Sequence, residues 1–206
     1  MSLSPDYGET LLPDDELAYL LPDIRAGLAE PITKADIYLL EEAEQAEVVA
    51  RLLPEVSRGD LALDSLLSVG FIQELHRQLY GGIWTWGGEF RKYNTNIGID
   101  WYLITGNLHG VLGDILYRWN ETEDWTAREL GIAVHAATVR IHPFVDGNGR
   151  CTRQLADFVF VAAQEGDTLE QYDWDLDKRQ YIALLREYDS TRNPRDLAEF
   201  IQVVAT

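Results

Sequence analysis

From Arg128 to Ile141, apolar residues recur at Leu130, Ala133, Ala137 and Ile141, with Ile132, Ala136 and Val139 beside them. That spacing predicts one buried helix. Pro143 cannot continue it without losing a backbone hydrogen bond, and it biases His142 away from helical dihedrals, so a turn is expected there. A second run, Leu155, Phe158, Val159 and Ala162, predicts a helix from Arg150 to about Gln164. Thr33 to about Leu53 gives another: Ile37, Leu40, Ala43 and Val48 supply an apolar stripe, Thr33 and Asp36 are placed to cap the start, and Pro54 is expected to end it. Leu108 to Tyr117 and Ala127 to Ile141 read as core helices joined by a polar stretch, Asn120 to Asp124.

The remaining segments follow the same logic. An extended, acidic start reaches to about Pro13, with short helical pieces to about Glu30. An acidic connection, Glu165 to Asp175, leads to a helix through Tyr181, Leu184 and Leu185, and Asn193-Pro194-Arg195-Asp196 starts a last one. Only Phe90 to Tyr93 reads as extended, between the turn chemistry of Gly87-Gly88 and of Asn94 to Gly98. Trp84 and Trp86 beside it are expected in the core. The expected class is therefore mainly α, with no internal repeat.

Composition narrows the options. A chain of 206 residues with 46% apolar content can bury a substantial single core. No apolar run approaches the roughly 20 residues needed to span a bilayer. Met1 to Asp6 lacks a basic region followed by an apolar one, so a cytoplasmic protein is expected. The single Cys151 suits a reducing compartment. A net charge of −18 disfavours direct binding to DNA or RNA.

Against that acidic field, residues 142 to 153 read His-Pro-Phe-Val-Asp-Gly-Asn-Gly-Arg-Cys-Thr-Arg. Gly147, Asn148 and Gly149 supply a turn whose successive N–H groups can form an anion nest at a helix N-terminus. Arg150 and Arg153, three apart, are expected to share one face beside the same anion. Cations oppose the macrodipole at this end of a helix, which makes sense if a polyphosphate binds there. Asp146 is a hard oxygen ligand suited to magnesium held against phosphate. His142, with an imidazole pKa near ~6.5, can serve as a general base, and Asn148 offers an amide donor. Taken singly, each residue has an ordinary structural use: His142 or Asp146 as a cap, Gly147 to Gly149 as a plain turn, the arginines as a solvated face. Phe144 is read as a core anchor.

His142 to Arg153 resembles the complete signature of the Fic (Fido) family, and the resemblance runs from about Ser65 to the end of the chain. It implies a helical Fic/Fido fold with a short β-hairpin flap, made of a catalytic domain at 65–206 and an N-terminal extension at 1–64 carrying an acidic, regulatory helix. It implies protein adenylyl transfer: AMP passes from ATP, with Mg2+, to a serine, threonine or tyrosine hydroxyl of a target protein. His142 is then the base, Asp146 the metal ligand, Gly147, Asn148, Gly149, Arg150 and Arg153 the phosphate-binding residues, and Asn94, Thr95, Asn96 and Ile97 the target-aligning flap. Residues 84 to 98 are similar to the family's Trp-rich segment and flap. Related Doc kinases carry lysine where this chain has Gly149, which favours AMP over phosphate transfer. The order of elements, including Asn96-Ile97-Gly98-Ile99-Asp100-Trp101, is similar to the branch called mobile mystery protein B, whose members are often encoded beside a helix-turn-helix protein. A small partner of that kind is implied.

Many members of the family are restrained by a helix whose glutamate pairs with the second signature arginine. The strict pattern, Ser or Thr, three residues, Glu, then Gly or Asn, is absent from this chain; Thr85 to Glu89 is followed by Phe90. Glu41 and Glu42 of the acidic helix are the candidates for that role with altered flanks. Readings from other classes are a Doc-like phosphotransferase, a deAMPylase, a non-catalytic nucleotide-binding module, and a metallohydrolase using His135, His142 and Asp146. His135 on its apolar helix is the better core residue. Tyr181 is read as core packing, with flanking of the nucleotide base as the other use.

Overall fold

The computed structural model describes residues 10–166 and 169–205. The start expected to be extended lies, for residues 1–9, outside the described residues. Two short helices, α1 (Asp14–Leu17) and α2 (Pro22–Gly27), precede α3 (Lys34–Ser57). Then come α4 (Leu63–Leu66), α5 (Val69–Tyr80), a 3-10 turn at Trp101–Leu103, α6 (Ile104–Glu121), α7 (Ala127–Ile141) and α8 (Asn148–Ala163). The chain closes with β1 (Glu170–Tyr172), α9 (Lys178–Thr191), α10 (Arg195–Phe200) and β2 (Val203–Ala205).

The central pair is α7 and α8, the two strongly periodic runs. Leu130, Ile132, Ala133 and Ile141 of α7, and Leu155, Ala156, Phe158 and Val159 of α8, are buried. Burying so much of both helices leaves them covered on several sides, by α6 and α10 against α7 and by α3, α4 and α5 against α8. Thr126 and Glu129 form a capping box that starts α7, which satisfies orphan donors at its N-terminus.

Helix α3 departs from expectation in two ways. It runs through Pro54 to Ser57, although an interior proline forfeits a hydrogen bond. Leu52 and Val56 are both buried, and their burial holds the last turn helical. Its buried face is Ile37, Glu41, Val48, Leu52 and Val56, whereas Ala43 is exposed. A carboxylate thus occupies a position in the core stripe. The expected cap is present, with the Thr33 hydroxyl and Asp36 carboxylate bonded reciprocally to each other's backbone N–H groups.

The strands are also placed differently. The sheet pairs β1 with β2, antiparallel, Tyr172 opposite Val203, inside segments expected to be a connection and a chain end. Within residues 84 to 98, expected to be a Trp-rich segment running into a hairpin, Trp84 bridges to Leu20 and Phe90 to Phe144, and from residue 91 on the chain runs as an irregular loop. Among the described residues no helix is long and apolar enough to cross a membrane.

Candidate active site

The junction between α7 and α8 is built from two left-handed residues. His142 ends α7 at φ 54°, and Gly147 precedes α8 at φ 73°. At Gly147 a side chain is excluded twice: the backbone is left-handed, and a Cβ would stand 2.5 Å from the Tyr80 ring. Phe144 is fully buried between them, its ring stacked on His76 at 3.6 Å. The expected core anchor is confirmed.

Asn148 is used otherwise than expected. Its Oδ1 accepts from Phe144 N–H at 2.8 Å and its Nδ2 donates to Phe144 C=O at 2.9 Å, and the residue is buried. Oδ1 and one of the two Nδ2 protons are thereby spent on closing the loop, which leaves this buried side chain a single N–H for any other acceptor. The backbone N–H groups of the turn are the other donors an anion could meet. The α8 N-terminus has no side-chain cap, and the space beside the Gly149 Cα is open, with nothing within 4 Å of a Cβ built there.

His142 is half-buried. Burial lowers its pKa from 6.5, with a further push from the Arg91 charge, while the Val139 carbonyl and Asp146 act the other way. The ring is therefore neutral at pH 7, the form a base requires. Its carbonyl accepts from Arg91 Nε at 2.8 Å. The Asp146 carboxylate is exposed, and its carbonyl is held by His76 Nε2 at 3.0 Å. Among the described residues there is no cluster of three metal-ligating side chains. A single exposed carboxylate beside a phosphate nest nevertheless fits a magnesium ion, which takes few protein ligands and fills its shell with phosphate oxygens and water.

The two arginines diverge. Arg150 reaches across to α3 and forms an ion pair with Glu41, with the Tyr80 ring 5.1 Å from its guanidinium. Burial opposes the Arg150 charge, but Tyr80, Glu41 and Asp146 together hold its pKa above the ordinary value. Arg153 points elsewhere, 5.9 Å from the Trp174 ring. One face beside one anion was expected; neighbours from different elements draw the side chains apart. Glu41 is buried and also accepts from Trp84 Nε1 at 2.8 Å. Glu42 is exposed, so of the two candidate glutamates only Glu41 meets the signature, and it meets the first arginine rather than the second.

The flap candidates stand on the exposed loop. Asn94 bridges to Asp100 at 2.7 Å and to Trp101 N–H at 2.9 Å, and Thr95 Oγ1 donates to Ile97 C=O at 2.6 Å. Asn96 and Ile97 are exposed. His135 is fully buried, bonded to the Tyr181 hydroxyl at 2.5 Å, with its pKa lowered to about 3 by burial and by Arg153. That agrees with core roles for both.

Two functional neighbours were not found from the sequence. His76 accepts Gly88 N–H at Nδ1 (2.9 Å), so the proton on Nε2 is the one donated to Asp146 C=O. It ties the Trp-rich segment to the signature loop. A polar residue among Ile72, Leu75, Leu79 and Tyr80 on the buried face of α5 was the available signal. Arg91 is buried among backbone carbonyls, and a lone arginine in an extended stretch carries no such signal.

Residues 66–160 match the family model described as Fic/DOC family. The chain is 31% identical over 107 residues to the Protein adenylyltransferase Fic of Drosophila willistoni, covering 47% of this chain and 20% of that protein. It is 26% identical over 144 residues to the Protein adenylyltransferase Fic of Aedes aegypti, covering 65% of this chain and 26% of that one. The matches thus span about a fifth to a quarter of those relatives' length. Among solved structures, the N-terminal Fic domain of a VirB-translocated Bep effector protein from Bartonella quintana superposes with a TM-score of 0.61 at 17% identity, covering 84% of this chain and 86% of that one. BepC of Bartonella tribocorum, solved with bound AMPPNP, superposes at 0.58 and 16% identity, covering 94% and 100%. These two establish likeness of fold.

Proposed function

Starting from a chain whose residues 66–160 match the Fic/DOC family model, we propose that it is a protein adenylyltransferase. One observation carries the reading: a half-buried imidazole, His142, opens a six-residue turn, 142–147, whose other end is an uncapped helix N-terminus. In the reaction, His142 accepts the proton of a target hydroxyl. The hydroxyl oxygen then forms a bond to the α-phosphorus of ATP, and the bond to the departing pyrophosphate breaks. Backbone N–H groups of Asn148, Gly149 and Arg150, with the Arg150 and Arg153 guanidiniums, receive the phosphate charge. Asp146 would hold a magnesium ion, which supplies charge neutralisation on the phosphates when bound. The loop at Asn94 to Ile97 presents the target segment. Residues 1–64 act as the regulatory extension, with Glu41 occupying Arg150 until ATP displaces it. The reading also includes a small helix-turn-helix partner, to be sought by copurification.

Glycine at position 149, where Doc kinases carry lysine, supports AMP transfer over the Doc-like reading. The test is incubation of the full chain, and of His142→Ala, with magnesium and α- or γ-labelled ATP, following label on protein in a cell extract. Label from the α position alone, lost in the variant, is the expected result. Label from γ alone would replace the reading with a kinase.

A further inference from the structure

Resting on the reading of His142 as the base, we infer that Arg91 is a positioning residue whose guanidinium clamps the target-facing loop and the base into one unit. Arg91 is 2% exposed, and all of its side-chain partners are backbone carbonyls. Nε donates to His142 C=O at 2.8 Å, one terminal nitrogen to Tyr93 C=O at 2.9 Å, and the other to Ile99 C=O and, at 3.4 Å, to Ile141 C=O. Its own N–H donates to Pro143 C=O at 2.9 Å, and Ile99 N–H to Ile141 C=O at 3.3 Å. The carbonyls of Ile141, His142 and Pro143, consecutive through the left-handed turn, are therefore all taken by residues 91 and 99.

A guanidinium suits this task because its planar fork holds several acceptors in a fixed arrangement, which a lysine cannot do. The surroundings are built around it. Gly98 sits at φ 94°, and a Cβ there would lie 2.6 Å from His142 Cβ, 2.8 Å from Ile141 O and 2.9 Å from the Arg91 guanidinium. Base, loop and arginine thus meet at van der Waals distance where only glycine fits. Without sheet pairing along residues 91 to 100, the clamp supplies the register between target segment and base that a hairpin would otherwise provide.

The test uses the full chain carrying Glu41→Gly, alone and with Arg91→Met, Arg91→Lys or Gly98→Ala. Three quantities are measured: ATP affinity, amide exchange with the His142 ring resonances by NMR, and label transfer from α-labelled ATP. In Arg91→Met, ATP affinity should stay within about twofold. Residues 93–100 should exchange at least about tenfold faster, and the His142 resonances should move. The transfer kcat should fall about 100-fold at unchanged KM for ATP, as for a displaced reacting group. Arg91→Lys should not restore it. Parent-like exchange and His142 resonances in Arg91→Met, or full activity of Arg91→Lys, would overturn the inference. So would faster exchange spread equally through α7 and α8, since that marks a purely structural role. If Arg91→Met does not fold, Gly98→Ala is read in the same way, and parent-like behaviour there overturns it. The NMR readouts need no chemistry, so absence of label in the parent would sink the adenylyl-transfer reading and leave the clamp decided separately.

Discussion

Glu41 and Arg150, 109 residues apart in the chain, form an ion pair in which the carboxylate is buried and also accepts the Trp84 indole N–H. In the proposed reading, the pair puts a negative charge beside the nest that would take a nucleotide phosphate. A ligand that must break such a pair loses part of its binding energy in doing so.

Replacing Glu41 should therefore activate the chain. In Glu41→Gln the Trp84 N–H keeps an acceptor while Arg150 loses its counter-charge. Protein labelling should rise about 10-fold or more, the size of an ordinary coupling between sites. Stability should fall by about 1–3 kcal/mol, because a partly buried cation is left without its partner. Glu42→Gly, at an exposed position, should change neither. Initial labelling rates and denaturant midpoints decide it; unchanged rates in both Glu41→Gln and Glu41→Gly would remove this glutamate from the regulation.

Because burial lowers the His142 pKa, the activated chain should keep its transfer rate as pH drops past 6.5, the ordinary imidazole value. The neutral ring is the active form, so the rate is lost only when pH falls through the depressed value. The pH profile of kcat/KM reads this directly. An inflection above 6.5 would show that His142 is not the titrating base.

Asn148→Ala should act mainly on stability. It strips the buried Phe144 N–H and C=O of their partners, each worth about 1–3 kcal/mol when left unsatisfied. A urea midpoint unchanged from the parent would return the amide to the role of a free phosphate donor.

His76 gives a second pH signature, this one in folding. Burial lowers its pKa from 6.5 to about 4, so the unfolded chain takes up a proton that the folded chain refuses across that window. Its contribution is present above 6.5 and is lost as pH falls toward 4, at about 1.4 kcal/mol per pH unit. His76→Gln should be less stable than the parent at pH 7, yet its stability should fall less steeply on acidification. Parallel stability curves for the two would contradict this.

The helical class, the α7–turn–α8 unit and the burial of Phe144, Trp84 and Trp86 were legible because each rests on local spacing or local chemistry. The carboxylate that pairs with Arg150 was half legible. Glu41 lies four residues after Ile37 and seven before Val48, hence on the core stripe, whereas Glu42 lies off it. Choosing between them needed that register, and choosing Arg150 over Arg153 needed to know which helix packs over the α8 N-terminus. The expected flap within residues 84 to 98 misled because the turn residues flanking Phe90 to Tyr93 suit a hairpin and an irregular loop equally well.

By itself, the sequence determined the helix periods, the proline-and-glycine turn between α7 and α8, and the set of side chains able to handle phosphate and a proton. These follow from residues close together in the chain, where backbone sterics and side-chain spacing act directly. Only the tertiary structure decided how those groups are spent: Asn148 on closing its loop, Arg150 on Glu41, and Arg91 on the carbonyls around His142. The physical reason is that a buried polar group must find a partner, and which partner lies within reach depends on packing between segments that the chain's order does not reveal.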